Sequence, residues 1–108
     1  MAWAPDRGEV IWINFDPQAG REQSSHRPAL VVSPRAYNVK TSLCLLCPMT
    51  GRIKGYPFEV VISAEPPSAV LADQVKSMDW RVRGATPKGR VEIRVVEEVV
   101  AKIAALIR

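Results

Sequence analysis

Short apolar runs, each cut off by glycine or proline, fill most of this chain, and only its final stretch changes period. Val10 to Phe15 (VIWINF) is β-branched and aromatic and lies between Gly8 and Pro17, which predicts a strand. Ala29 to Ser33 predicts a second, stopped by Pro34. Leu43 to Cys47 predicts a third, apolar throughout and therefore expected to be buried on both faces. Phe58 to Ile62 predicts a fourth, broken by Glu65, Pro66 and Pro67. Val70 to Lys76 predicts a fifth and Arg90 to Ile93 a sixth. Asp73 and Gln74 carry a cost inside the fifth unless they face water or a partner. Residues 17–27, Thr50 to Tyr56 and Arg81 to Pro87 read as polar loops, and Arg35 to Thr41 as one or two helical turns.

Toward the end, Val95, Val99, Ile103 and Leu106 fall on one stripe, widened by Val96, Val100 and Ile107. That spacing predicts an amphipathic helix. Glu97 and Glu98 are expected to favour its positive N-terminal end, and Arg108 its C-terminal end. No Ser, Thr, Asp or Asn stands where an N-cap belongs, so nothing marks where the helix begins. Its apolar stripe reads as core packing, and equally as a dimer or partner surface. Short strands plus a terminal helix predict a mainly β fold with short helices: a compact, strongly curved sheet or small barrel with a C-terminal amphipathic α-helix. The order of elements does not fit a doubly wound α/β fold.

The length of 108 residues suits one domain, residues 1–108. A hydrophobic share of 47% and a charged share of 24% exclude a disordered chain. A net charge of +4 permits an anionic partner such as nucleic acid without requiring one. No apolar run approaches the ~20 residues of a membrane span. The opening MAWAPDRGEV has no charged-then-apolar signal pattern, so a cytoplasmic, membrane-free protein is expected. Cys44 and Cys47 form a CxxC inside an apolar strand, where residues three apart point to opposite faces. With a single histidine, His26, there is no second ligand pair for zinc, so structural thiols and no bound metal are expected.

The chemistry concentrates in GREQSSHRPALVVSP, Gly20 to Pro34. Glu22, Gln23, Ser24, Ser25, His26 and Arg27 stand in six consecutive positions before an apolar run. Polar groups held against the start of a buried strand are the pattern of an active-site loop on a rigid scaffold.

With that loop in view, the chain resembles the MazF/PemK family of toxin endoribonucleases, most closely its MazF branch. The resemblance rests on GEVIWINFDP, GREQSSHRPALVVSP, YNVKTSLCLLCPMT, KGYPFEVVIS and LADQVKSMDWRVRGA, in family order over nearly the whole chain. It implies an SH3-like β-barrel acting as a homodimer in a type II toxin–antitoxin system. It also implies cofactor-free and metal-independent cleavage of single-stranded RNA, mRNA among it, at short sequences. A cognate antitoxin with an acidic, flexible tail is the implied inhibitor. Three residues carry over as the catalytic set: Glu22, Arg27 and Thr50. Some branches use an aspartate near the fifth strand instead, the region of Asp73.

These residue types suit RNA cleavage in which the ribose 2′-OH attacks the neighbouring phosphorus, leaving a 2′,3′-cyclic phosphate and a 5′-OH. A glutamate is ionised at neutral pH, so Glu22 can act as base. Arg27 offers a planar fork that matches phosphoryl oxygens and is a poor proton donor, which favours charge stabilisation. Thr50 can donate one hydroxyl hydrogen bond, though a turn role before Gly51 competes. Lys54, Lys76, Arg81 and Arg83 are candidates for phosphate contacts. Gln23, Gln74 and Ser77 can read base edges, and His26 can position substrate. Trp3 and Trp80 can stack on bases, whereas Trp12, inside a strand, is expected in the core. Two other readings exist: a toxin of the same fold that binds a protein target such as DNA gyrase without cutting RNA, and a catalytically dead binding module.

Overall fold

The computed structural model describes residues 2–15 and 26–108. β1 (Glu9–Asn14), β2 (His26–Val31), β3 (Leu43–Thr50), β4 (Glu59–Ala64), β5 (Pro67–Leu71), β6 (Lys76–Asp79) and β7 (Thr86–Arg90) form one antiparallel sheet. Its spatial order is β4-β5-β3-β2-β1-β7. β3 pairs with β6 through Leu43–Leu46 and with β5 through Met49 and Thr50. One long strand therefore hands its edge from one neighbour to the next, and the sheet curls into a half-barrel, in keeping with the strongly curved sheet or small barrel expected from the apolar runs. α1 (Arg35–Thr41) bridges β2 and β3, and α2 (Ile93–Ile107) ends the chain. Among the described residues, no helix is long and apolar enough to cross a membrane.

Strand alternation sorts the core into two faces. Ile11, Ile13, Ala29, Val31, Cys44 and Leu46 fill one. Val10, Leu30, Cys47, Val60 and Val70 fill the other, where Val95 and Val99 of α2 close over them. Each fully buried Val, Leu or Ile side chain contributes about 1.5–3 kcal/mol relative to exposure. Cys44 and Cys47 point to opposite faces as free, buried thiols. Burial, helped by the charges of Asp79 and Asp73 respectively, pushes both up to about 12, so both stay neutral at physiological pH.

Several boundaries differ from expectation. The fifth run does not continue to Lys76 as a strand: β5 ends at Leu71, a 3-10 turn takes Ala72–Gln74, and β6 starts at Lys76. The turn removes Asp73 and Gln74 from a strand interior and leaves both exposed. The sixth strand lies earlier than Arg90 to Ile93, at Thr86–Arg90; Thr86 and Pro87 leave the expected loop, and Ile93 opens α2. β7 has no buried residue, and its ladder with β1 holds it in place. His26 and Arg27 belong to β2 rather than to the preceding loop. Trp12 is 38% exposed instead of buried, with the Lys88 ammonium 5.1 Å from its ring centroid. β3 is not buried on both faces throughout, since Leu45 is exposed. α2 begins without a side-chain cap, and Glu97 and Glu98 fall beyond its first turn. Its stripe divides: Val95, Val96 and Val99 are buried, while Val100, Leu106 and Ile107 remain exposed.

Candidate active site

The alternation that buries Ala29 and Val31 on the first core face carries Arg27, two residues earlier, to the same side of the sheet. Arg27 lies opposite Ile13 and is exposed, because the core ends there. Across β2 and β3 the register runs Ala29↔Pro48, Leu30↔Cys47 and Val31↔Leu46. That ladder ends at Ala29 and Pro48; Arg27 and Thr50, the last residue of β3, each lie two residues beyond it, so alternation puts both on the side of that pair. Lys76 opens β6 opposite Leu46 and so shares this side. Its ammonium lies 5.5 Å from the centroid of Phe15, which packs at the end of the first core face. The mouth of that face thus gathers a guanidinium, a hydroxyl, an ammonium and an aromatic ring. Such a set binds a phosphodiester through its oxygens and offers a base one ring to stack on.

Thr50 also serves its turn: Oγ1 accepts the Arg52 N–H at 3.0 Å. The hydroxyl proton remains available to donate, so the turn role and a donor role coexist. The loop that follows carries Lys54 and ends at Tyr56, whose hydroxyl donates to Asp73 Oδ1 at 2.9 Å. Burial, then this hydrogen bond, raises the Tyr56 phenol above its usual value. Asp73 is therefore engaged with the loop, and Gln74 beside it is exposed. Ser77 faces the opposite side from Lys76, as strand alternation requires, across from Leu45. Arg81 stacks 4.3 Å from the centroid of the Trp80 ring, and Arg83 donates to the Asn14 carbonyl.

His26 lies across from Asn14 on the other side of β2 from Arg27. Its Nδ1 is buried and has no hydrogen-bond partner among the described residues. Glu22, Gln23, Ser24 and Ser25 lie outside the described residues. Among the described residues, no three His, Cys, Asp or Glu side chains gather to hold a metal ion. Sequence reasoning missed Phe15, Tyr56 and Glu59. The signal for Glu59 was an acid at the head of an apolar strand, one residue beyond the Gly-Tyr-Pro of the loop.

The model of PemK-like, MazF-like toxins of type II toxin–antitoxin systems matches residues 6–107. The chain is 54% identical over 106 residues to the endoribonuclease toxin MazF of Escherichia coli, spanning 97% of this chain and 96% of that one. In structure it is similar to MazF of Deinococcus radiodurans, with a TM-score of 0.87, 47% identity and 98% of each chain covered. It is also similar to a chain of the MazE–MazF complex of that organism, at a TM-score of 0.85 and 42% identity, over 98% of this chain and 97% of that one. Matched from end to end in sequence and in fold, the chain belongs to the PemK-like, MazF-like toxins of type II toxin–antitoxin systems.

Proposed function

We propose that this MazF-type endoribonuclease toxin cuts single-stranded RNA, mRNA among it, without a metal, by attack of a ribose 2′-OH on the adjacent phosphorus. The products are a 2′,3′-cyclic phosphate and a 5′-OH end. What supports this reading is that Arg27 of β2 and Thr50 of β3 each lie two residues beyond the last β2–β3 pair, on the strand side shared by Ala29 and Pro48. Arg27 stabilises the charge that grows on the phosphoryl oxygens, where a fixed fork matches the geometry. Thr50 adds one donor to the same oxygens. Glu22 takes the 2′-OH proton, with Asp73 as the alternative base. Lys54 and Lys76 neutralise flanking phosphates, and Gln23, His26, Gln74 and Ser77 orient the strand.

The protein works in the cytoplasm as a homodimer. In support of the dimer, an apolar groove of about 540 Å³ runs between α2 and the sheet, lined by Leu45, Val75, Ile93, Val96 and Val100 among others. A second copy covers it and so removes the exposed apolar surface of α2 from water. An antitoxin with an acidic tail inhibits it, in keeping with the MazE–MazF complex of the similar Deinococcus radiodurans protein and with the net charge of +4.

The test is cleavage of a long single-stranded RNA by purified protein in EDTA, with Arg27→Ala and a matched DNA strand as controls. Discrete bands with cyclic phosphate ends, absent for the variant and for DNA, are expected. Normal turnover by Arg27→Ala refutes its role, and loss of all cleavage in EDTA with recovery on added metal refutes metal independence.

A further inference from the structure

Glu59 is an acid in a place where acids are rare. It heads β4 and is only 8% exposed. Its carboxylate accepts the Lys54 N–H at 3.1 and 2.9 Å and the Gly55 N–H at 2.6 Å. The Lys54 amide, then the Gly55 and Tyr56 amides, hold the carboxyl below its ordinary value against the opposing effect of burial. Gly55 has φ +84°, a left-handed conformation that glycine adopts freely, and this directs its amide inward.

The loop is tied elsewhere too. Arg52 N–H donates to Thr50 Oγ1, the Tyr56 hydroxyl to Asp73, and the Lys102 ammonium of α2 to the Pro57 carbonyl at 2.6 Å. A loop of this length wraps a single buried carboxylate while leaving Arg52, Ile53 and Lys54 exposed. Among the described residues, the Lys54 ammonium makes no hydrogen bond or ion pair. The Lys54 backbone is thus fixed while its exposed ammonium, whose charge also helps lower the Glu59 carboxyl, still meets solvent, an arrangement preorganised for an anionic ligand.

We propose that Glu59 is a positioning residue for RNA binding: by gathering the Lys54 and Gly55 amides, its carboxylate presents Lys54 to a substrate phosphate beside Thr50. The role rests on the ribonuclease reading above. Glu59 touches no substrate. Its effect passes through the loop and falls on binding more than on chemistry.

The experiment uses steady-state cleavage of a short single-stranded RNA, together with anisotropy titrations of the same sequence bearing 2′-O-methyl groups at several salt concentrations. Glu59→Gln is expected to raise KM about three- to ten-fold with kcat within about two-fold of wild type. Its plot of log affinity against log salt is expected to be shallower by about 0.7, the value of one phosphate contact on a single strand. Lys54→Ala shows the same loss of slope, and the double variant loses no more than either alone. Gly55→Ala disturbs the same loop without touching the carboxylate and is expected to reproduce the KM and slope changes, which keeps the test intact if Glu59→Gln does not fold. A folded Glu59→Gln or Gly55→Ala with wild-type KM and slope overturns the proposal, as do Glu59 and Lys54 losses that add. A wild-type protein that neither cleaves nor binds the RNA sinks the ribonuclease reading instead.

Discussion

Replacing Asn38 with alanine is the sharpest test of how this fold is held together. Asn38 lies in α1, fully buried. Its Nδ2 donates to the carbonyls of Pro5 at 2.9 Å and Ser33 at 3.1 Å, and its Oδ1 accepts the Ser33 hydroxyl at 2.6 Å. One side chain thus joins the N-terminal segment, the end of β2 and α1. Alanine deletes all three bonds, while the Trp80 indole N–H keeps its bond to the residue 38 carbonyl because that acceptor is backbone. At about 1 kcal/mol net per hydrogen bond, the loss is about 3 kcal/mol, rising toward about 5 if the stranded carbonyls find no water. That is a large share of the ~5–15 kcal/mol that holds a domain folded. Urea unfolding at fixed protein concentration checks it, read as a lower midpoint at unchanged slope. Asn38→Asp keeps the size but sets a carboxylate against two carbonyls, so it is expected to cost at least as much. A loss below about 1 kcal/mol for Asn38→Ala refutes the view that this residue organises the junction.

At Thr50, valine removes the hydroxyl and serine keeps it. Thr50→Val is expected to lower kcat about 100- to 1,000-fold, the cost of one transition-state donor, and Thr50→Ser to retain most activity; equal rates for wild type and Thr50→Val leave only the turn bond to Arg52. Asp79 accepts the Val82 and Arg81 amides and the Ser42 hydroxyl, led by the Val82 amide, and these hold its carboxyl below the ordinary value. The unfolded chain then takes up a proton first on acidification, so this stabilisation is complete above the ordinary carboxylate range near ~4 and fades as pH falls through the lower folded value. The melting-temperature gap between wild type and Asp79→Asn is therefore expected to shrink from neutral pH toward pH ~3, and a gap that stays constant refutes the linkage.

What was legible in the sequence was local. The apolar runs of β1 and β3 and the stripe of α2 show their periods directly, and Arg27 and Thr50 stand in segments that resemble a known family. What was not legible depends on partners far along the chain. The break at Ala72–Gln74 suits Asp73 because Tyr56, seventeen residues earlier, supplies a hydroxyl. β7 reads as loop because TPKGR buries nothing, and only its ladder with β1 makes it a strand. Trp12 looks like core because it is a tryptophan inside an apolar run, yet it stands opposite Thr86 near the sheet edge, where Lys88 covers one ring face. Glu59 reads as one more strand-flanking acid until the amides of Lys54 and Gly55 are seen converging on it.

The site and the core are consequences of one register. A β-strand alternates with period two, so a slip of one residue in β2 moves every side chain to the other face. Such a slip turns Ala29 and Val31, both fully buried now, to the second core face and sends Leu30 to the first, and it also exchanges Arg27 for His26 on the side that continues from Ala29. The same apolar contacts that stabilise the sheet therefore select which of two adjacent polar residues stands on that side. Arg27 and Lys76 are exposed at the mouth of the first core face although their ladder partners Ile13 and Leu46 belong to that face, and Phe15 packs beside Lys76. Charge there escapes the desolvation cost of a buried ion, while strands anchored by Ile13, Ala29 and Leu46 hold its geometry.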